Sequence, residues 1–236
     1  MIHPSIRSRL ESNWQAVQDE VRRTAERVGR APDSITIVGV SKYVDTEITK
    51  ALFDAGCVNL AESRPQNLWK KSEAFADGDS VHWHLIGHLQ RNKVRRTLSI
   101  KPLIHSVDSQ RLLDALSDEA QSQRIEVDCL LEVNVSGDDA KTGFSATGLH
   151  EVLSQLPIAG LQVRGLMAMA GWGTDPDHAR QQFDRLRKLR DEAEQRYGLS
   201  LAELSMGMSG DFPQAIAAGA TMVRIGSRLF DGIIER

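Results

Sequence analysis

The chain has 236 residues, of which 41% are hydrophobic and 26% charged, and its formal net charge is −3. This composition is typical of a globular protein, and the slight negative charge argues against a nucleic-acid or membrane-surface partner, since both favour a basic face. No apolar segment of signal-peptide length opens the chain, and none approaches the ~20 apolar residues of a membrane span. Two cysteines occur, Cys57 and Cys129, both in apolar runs, which predicts buried thiols in a reducing cytoplasm.

The first predicted element is a long amphipathic helix over 4–28, where apolar residues recur at steps of three and four after Pro4. Helical patterns also occur later, including 46–56, which ends at the stop signal Gly56, 109–123, with Ser109 as N-cap, and 175–198. Between the helical patterns lie eight short apolar runs typical of buried strands, at 35–42, 58–63, 81–87, 103–108, 127–135, 161–169, 203–208 and 221–226.

Strands that alternate with helices predict βαβ units and a parallel sheet. Eight such runs in a chain of this length favour a (β/α)₈ barrel of the TIM type in one domain, 1–236. The alternative is an open doubly wound sheet, but no Gly-x-Gly-x-x-Gly turn follows the first strand. The chain ends soon after the eighth run, so we expect the N-terminal helix to take the place of an eighth outer helix.

The apolar run 35–42 ends on a lysine, Lys42, which in a barrel lies at the mouth where active sites are found. Lys42 shares a strand face with Val38 and Val40. If that face points inward, desolvation lowers the pKa of the amine and leaves a nucleophile able to form a Schiff base with a carbonyl compound. The alternative is a lysine that reaches water past the end of the strand.

The two loops after the seventh and eighth strands are rich in small residues, at 207–219 and 224–232. Barrels often bind phosphate at these two loops, and Ser209 and Ser227 add hydroxyl donors. Pro213 predicts the start of a short helix, and we assign Asp211 to capping that helix, turned away from the anion. Taken alone, either loop is also compatible with ordinary turn chemistry.

A Schiff-base lysine across the mouth from a phosphate site fits either pyridoxal 5'-phosphate (PLP) or a phosphosugar in an aldolase. Arg224 favours PLP, because it lies two residues before Gly226 on the same strand face, and an arginine is a known partner of the pyridine nitrogen of PLP. Such an arginine would keep that nitrogen unprotonated. The alternative for Arg224 is a salt bridge inside the barrel.

Five segments of the sequence resemble the pyridoxal phosphate homeostasis proteins, relatives of the barrel domain of alanine racemase. They are VGVSK at 38–42, HLIGHLQRNK at 84–93, part of 134–144, GLMAM at 165–169, and LSMGMSGDFPQAIAAGATMVRIGSRLF at 204–230. The resemblance implies that Lys42 carries PLP as a Schiff base, that Ser209, Gly226 and Ser227 hold its phosphate, that Met208 lines that loop, and that Arg224 lies near the pyridine nitrogen. It also implies a role in holding and buffering the cofactor without robust catalysis, with PLP-dependent apo-enzymes as partners.

Three positions depart from the family pattern. Ser63 replaces an asparagine and reaches less far, although we retain it as a candidate cofactor contact; His88 replaces a proline; and Ser227 replaces a common threonine but keeps the hydroxyl. We expect no counterpart of the second domain that supplies the opposing tyrosine of the racemases, and we expect Tyr43 to point away from Lys42. These features predict a monomer without efficient racemisation, and a PLP-dependent racemase or related enzyme remains the alternative.

Other polar residues near the predicted strand ends are open to more than one interpretation. His82 and His84 form a His-x-His pair typical of some metal sites, but His105 and the available aspartates are expected to lie at other depths, so we predict no metal. Asn134 shares a strand face with Glu132 and is a further candidate cofactor residue. Lys141 either contacts the ligand or is solvated.

Overall fold

The computed structural model describes residues 2–75, 79–137, 142–171 and 173–234. After the first helix, eight strands alternate with seven further α-helices in the described residues. In chain order they are α1 (Pro4–Arg27), β1 (Thr36–Val40), α2 (Thr46–Asp54), β2 (Asn59–Glu62), α3 (Pro65–Ser72), β3 (His82–Leu85), α4 (Val94–Leu98), β4 (Leu103–Val107), α5 (Gln110–Gln123), β5 (Val127–Glu132), α6 (Ala146–Leu153), β6 (Leu161–Met167), α7 (Pro176–Tyr197), β7 (Glu203–Met208), α8 (Phe212–Ala218) and β8 (Met222–Ile225). Short 3₁₀ turns at Pro32–Ser34 and Arg91–Lys93 precede β1 and α4.

The eight strands form a closed parallel barrel in sequence order, with β8 paired to β1. This confirms the (β/α)₈ prediction. The helix ends also follow the sequence signals, since Gly56 and Gly198 both have positive φ angles just after α2 and α7. Ser109 lies at the N-cap of α5, but its hydroxyl donates to the Asp108 carboxylate instead of accepting from the helix.

The N-terminal helix α1 packs between α8 and α2 in the outer ring, as expected for a chain in which β8 is followed only by turns up to Ile234. Asn13 of α1 donates to the carbonyl oxygens of Leu229 and Asp231, at 3.0 Å each. These two bonds fasten the segment after β8 to the helix, so α1 occupies the place in the outer ring that follows β8.

The largest apolar cluster lies between the strands and the helices, and it includes Phe183, Phe212 and Phe230, all fully buried. A second, small cluster lies inside the barrel and is formed by Val38, Val40, Ala61 and Met222. The remaining inward positions are largely polar, because His84, His105, Ser205 and Arg224 are buried there. The barrel interior is therefore a partly polar core.

In the described part of the chain, no helix combines the length and the apolarity that crossing a bilayer requires. Both cysteines, Cys57 and Cys129, are buried free thiols. Burial raises the pKa of each thiol to about 12, so neither is a thiolate near neutral pH. The predicted buried environment of these residues is confirmed.

Candidate ligand site at the mouth of the barrel

A cavity of about 690 Å³ opens at the C-terminal ends of the strands. Its walls come from the segments that follow β1, β5, β6 and β7, which is where barrels of this type bind ligands. The lining residues are Lys42, Glu132, Val133, Asn134, Thr142, Met169, Ala170, Gly171, Gly173, Thr174, Met208, Gly210 and Asp211. Lys42 and three acidic or amide side chains thus share one space large enough for a small organic ligand.

Lys42 lies at this mouth, but it does not extend the strand as the sequence pattern suggested. The strand β1 ends at Val40, and the Val44 amide donates to the Ser41 carbonyl at 3.0 Å, so Lys42 is the second residue of a turn. Its side chain is exposed, and its Nζ lies 4.9 Å from the ring centroid of Tyr43. The expectation that Tyr43 packs outward and away from Lys42 is wrong, because strand alternation ends at Val40; Tyr43 is 72% exposed beside the amine.

A buried ion pair supports the turn that carries Lys42. Lys71 of α3 contacts the Glu62 carboxylate, and its Nζ also donates to the carbonyl and hydroxyl oxygens of Ser41, at 2.8 and 3.1 Å. The Ser41 hydroxyl in turn donates to Glu62 at 3.2 Å. Burial lowers the pKa of Lys71, and the Glu62 carboxylate opposes that shift. These contacts fix the backbone immediately before Lys42.

Ser209, Gly226 and Ser227 follow the ends of β7 and β8, and none of the three lines the cavity, although Met208 and Gly210 on either side of Ser209 do. The Gly226 amide donates to the Ser209 hydroxyl at 3.1 Å, which joins the two loops. A side chain at Gly226 would meet the carbonyl oxygen and Cβ of Val40, at 3.3 and 3.5 Å. The sequence interpretation had placed these loops across the mouth from Lys42. Because β8 pairs with β1, they are instead adjacent to the Lys42 segment.

Asp211 does not cap α8 with its side chain. Its carboxylate accepts from the Met208 amide at 2.6 Å, and it lines the cavity instead of turning away from it. Its backbone, at φ −135° and ψ 7°, lies outside the extended region from which a capping side chain reaches the helix amides. Burial raises the pKa of this carboxyl, and the Met208 amide and Arg224 oppose the shift.

Arg224 is buried inside the barrel directly below the mouth, at 3% exposure. Its guanidinium donates to the Ser205 hydroxyl at 2.7 Å and to the Ala168 carbonyl at 3.0 Å, and among the described residues no carboxylate forms a salt bridge with it. Burial lowers the pKa of Arg224 to about 10, opposed by the cavity residues Asp211 and Glu132. The guanidinium therefore stays charged at neutral pH and is held by neutral partners, unlike the salt bridge considered from the sequence.

Glu132 and Asn134 both line the cavity, but Val133 lines it too, because β5 ends at Glu132 and strand parity does not extend to Asn134. The Glu132 carboxylate accepts from the Thr142 hydroxyl at 2.8 Å, and burial raises its pKa. The Asn134 side-chain oxygen accepts from the amide and the hydroxyl of Ser136, at 3.2 and 2.8 Å. Both polar groups are thus partnered and ordered at the wall of the cavity.

The remaining candidates lie at different distances from this cavity. Met208 lines it and is 39% exposed. Ser63 is half-buried at the end of β2 and is not part of the lining; its carbonyl lies against Gly87, where an added Cβ would come within 2.2 Å. Lys141 lies outside the described residues.

The histidines differ from their expected arrangement. His105 lies at the same depth as His84, because the His84 Nδ1 and the His105 Nε2 are 2.9 Å apart inside the barrel. His82 is exposed at the start of β3, and His88 pairs with Asp108 at 3.0 Å. The described residues contain no cluster of three metal-ligating side chains.

Two contributions to the site escaped the sequence analysis. Lys71 follows Leu68 by three residues and so occupies the apolar face of α3, and a charge in that position is a readable signal of a buried ion pair. Thr142 as the partner of Glu132 has no such signal. Its contact depends on how the segment after β5 returns to the end of that strand, through the Phe144 amide bonded to the Glu132 carbonyl at 2.7 Å.

The fold and the mouth define a (β/α)₈-barrel protein with a lysine-containing ligand cavity at the C-terminal ends of its strands. The family model described as "Alanine racemase, N-terminal domain" matches residues 8–232. Curated relatives include a protein of Aquifex aeolicus, 39% identical over 215 residues, and one of Escherichia coli K12, 32% identical over 231 residues. They cover 91% and 94% of this chain, and the matches span 94% and 95% of the relatives. Both are named pyridoxal phosphate homeostasis protein, and the chain belongs to this family, which confirms the resemblance.

Solved structures agree with this membership. An unknown protein from Bifidobacterium adolescentis has a TM-score of 0.91 at 31% identity and covers 98% of each chain. PipY of Synechococcus elongatus PCC7942, solved with PLP bound, has a TM-score of 0.80 at 33% identity, covering 89% of this chain and 99% of its own. Alanine racemase from Corynebacterium glutamicum, at 13% identity and a TM-score of 0.72, shares the fold over 94% of this chain and 60% of its own.

Proposed function

We propose that this protein binds PLP at the barrel mouth, holds it as a Schiff base on Lys42, and acts in intracellular PLP homeostasis. The observation that carries the proposal is one cavity lined by Lys42, Met208, Gly210 and Asp211. The loop that contributes Met208 and Gly210 is joined to the next loop by the Ser209–Gly226 hydrogen bond, and the cavity residues Asp211 and Glu132 influence the pKa of the buried Arg224. The family name and the PLP-bound PipY structure support the same ligand.

The donors present suit each part of the cofactor. Lys42 supplies a primary amine for the aldehyde, which is the group that PLP brings to amine chemistry. Ser209, Gly226 and Ser227 supply hydroxyl and amide donors for the phosphate, with Met208 beside them, at the loops where barrels usually bind phosphate. Arg224 supplies a buried positive charge for the pyridine nitrogen. We retain Asn134 and Ser63 as further contacts, Asn134 for the ring side of the cavity and Ser63 for its edge.

Reduction of the PLP Schiff base with borohydride tests whether Lys42 is the lysine that binds the cofactor. Protein incubated with PLP and reduced should contain the adduct on Lys42, identified by peptide mass spectrometry. Lys42→Ala should lose both the visible absorption band and the adduct, whereas Lys50→Ala, an exposed lysine on α2, should retain them. Adducts found on Lys50 or Lys141 in the wild-type protein would refute the assignment, and a protein that takes up no PLP would refute the function.

The carrier role itself requires a transfer experiment. Protein loaded with PLP should activate a PLP-dependent apo-enzyme faster than the same concentration of free PLP does. We further propose that residues 1–236 act as one PLP-binding unit, as a monomer and in the cytoplasm, whose reducing conditions are compatible with two buried free thiols. Sedimentation equilibrium of the loaded protein tests the monomer, and equal activation rates with loaded protein and free PLP would contradict the carrier role.

A second candidate function is the PLP-dependent conversion of amino acids, and the position of Tyr43 favours it. The Tyr43 ring adjoins the Lys42 amine, so a phenol and an amine occur together at the mouth. We place this function second because Tyr43 is 72% exposed, and a general acid in contact with bulk water does not shield a carbanion from it. Sustained exchange of an amino-acid α-hydrogen in D₂O, lost in Tyr43→Phe, would establish the second function over the first.

A further inference from the structure

Five polar side chains inside the barrel form an unbroken line of hydrogen bonds, which we call the interior network. Arg224 donates to the Ser205 Oγ at 2.7 Å, and Ser205 lies 2.8 Å from the Nδ1 of His105. The His105 Nε2 lies 2.9 Å from the Nδ1 of His84, and the His84 Nε2 lies 3.2 Å from the Oδ1 of Asn59. The interior network thus joins β8, β7, β4, β3 and β2.

The chemistry of the groups gives the interior network one direction. The Asn59 Oδ1 only accepts, so the His84 hydrogen is on Nε2, and a neutral His84 then accepts at Nδ1. The His105 hydrogen must then be on Nε2, where it donates to the His84 Nδ1. A neutral His105 with its hydrogen on Nε2 accepts at Nδ1, so the Ser205 hydroxyl donates to His105 while the Ser205 oxygen accepts from Arg224. Both imidazoles are therefore neutral Nε2–H tautomers.

Burial agrees with this neutral state. His105 is fully buried and His84 is 4% exposed. Desolvation lowers the pKa of His84 to about 4, and desolvation together with His84 and Arg224 lowers the pKa of His105 well below its ordinary value. A buried donor or acceptor left without its partner costs about 1–3 kcal/mol, so removing one member of the interior network is felt by its neighbours.

We propose that Ser205 and His105, supported by His84, are positioning residues that fix the Arg224 guanidinium for the pyridine ring of PLP. The inference rests on the proposed function. Two corners of the guanidinium are held, one by Ser205 of β7 and one by the Ala168 carbonyl after β6. By donating its proton to His105, the Ser205 hydroxyl is oriented so that its oxygen lone pairs face the Arg224 guanidinium.

The position of the guanidinium determines how strongly its charge acts on the pyridine nitrogen of PLP. A positive charge beside the pyridine nitrogen disfavours protonation there only while it stays in place. Without the Ser205 contact, Arg224 is free to rotate toward the cavity carboxylates Glu132 and Asp211, which already influence its pKa. We therefore expect a broken interior network to weaken PLP binding while leaving Lys42 and the phosphate loops unaltered.

The matched variants are His105→Leu and His105→Gln. Leucine fills much of the space but neither accepts nor donates, whereas the glutamine amide can accept from Ser205 and donate to His84. Titration of cofactor-free protein with PLP, followed by the visible band, should give a Kd about tenfold higher for His105→Leu, equal to about 1.4 kcal/mol, and a Kd within about twofold of wild type for His105→Gln. His150→Gln, a histidine outside the barrel that contacts Tyr197, is the control.

Two further measurements keep the inference testable if His105→Leu does not fold. Ser205→Ala removes the same bridge without adding volume and should raise the Kd in the same direction. Nitrogen-15 NMR of the cofactor-free protein should show the Nε2–H tautomer for both His84 and His105 at neutral pH. An Nδ1–H tautomer or an imidazolium at either position overturns the interior network.

The outcomes separate this inference from the function on which it rests. If wild-type protein takes up no PLP, the proposed function fails and the positioning role fails with it. If wild-type protein binds PLP and both His105→Leu and Ser205→Ala bind it equally well, only the positioning role is overturned. Equal weakening by His105→Leu and His105→Gln would also overturn it, because packing alone would then explain the loss.

Discussion

The buried ion pair below Lys42 makes the sharpest stability prediction. Lys71→Met removes the ammonium that contacts Glu62 and the Ser41 carbonyl, and the side chains of Lys71 and Glu62 are only 5% and 0% exposed. The carboxylate would keep one partner, the Ser41 hydroxyl at 3.2 Å, and its second oxygen already has none. Breaking one side of a buried pair typically costs about 3–5 kcal/mol, so we expect the free energy of unfolding to fall by about that amount.

Urea unfolding of the purified variants at neutral pH measures this change. Lys70→Met is the matched control, because Lys70 is the preceding residue of α3 and is exposed; we expect its effect to stay within about 0.5 kcal/mol. The double variant Glu62→Met/Lys71→Met should lose less than the sum of the single losses, since no charge remains buried alone. A loss below about 1 kcal/mol for Lys71→Met would refute the view that this pair holds the Lys42 turn.

Two further predictions concern the barrel wall and its interior. Gly165→Ala places a Cβ 1.9 Å from the Glu203 carbonyl oxygen of the neighbouring strand and should lower the free energy of unfolding by about 3 kcal/mol. The control Gly210→Ala meets open space and should change that free energy by no more than about 0.5 kcal/mol in the same thermal or urea assay. Equal effects of the two variants would contradict this packing argument. Burial lowers the pKa of His84 from 6.5 to about 4. Between these pH values the unfolded chain binds a proton at His84 that the folded barrel does not bind. His84 should therefore lower the free energy of unfolding by about 1.4 kcal/mol for each unit by which the pH falls in this range. His84→Gln should remove the His84 contribution to that slope in urea titrations from pH 6.5 to 4, leaving the contribution of His105, whose pKa is also lowered. An unchanged slope would show that the lowered pKa of His84 is not a property of the fold.

Much of the architecture could be predicted because it depends on local periodicity. The three-and-four spacing of α1 and the eight apolar runs are properties of neighbouring residues, and the strands lie within those runs. The inward position of Arg224 followed from its spacing to Gly226, since side chains alternate along a strand. The rule did not place Asn134, because β5 ends at Glu132 and Val133 lines the cavity as well.

Predictions failed where a strand ends and where a side chain chooses between backbone partners. Alternation no longer holds after Val40, so Tyr43 lies beside Lys42. Asp211 bonds the Met208 amide because its backbone conformation does not allow it to cap α8. Such choices depend on φ and ψ angles at single residues, which a hydrophobic pattern does not encode.

The sequence by itself determined the succession of strands and helices, the parity of the inward residues, and the motifs that identify the family, because each is written in residues close together in the chain. Only the tertiary structure decided which distant residues meet. Closure of β8 onto β1 makes Gly226 a neighbour of Val40 rather than a partner across the mouth. The stagger of β3, β4, β7 and β8 sets His84, His105, Ser205 and Arg224 at one depth, and that stagger is fixed by packing of the whole barrel, not by any local segment.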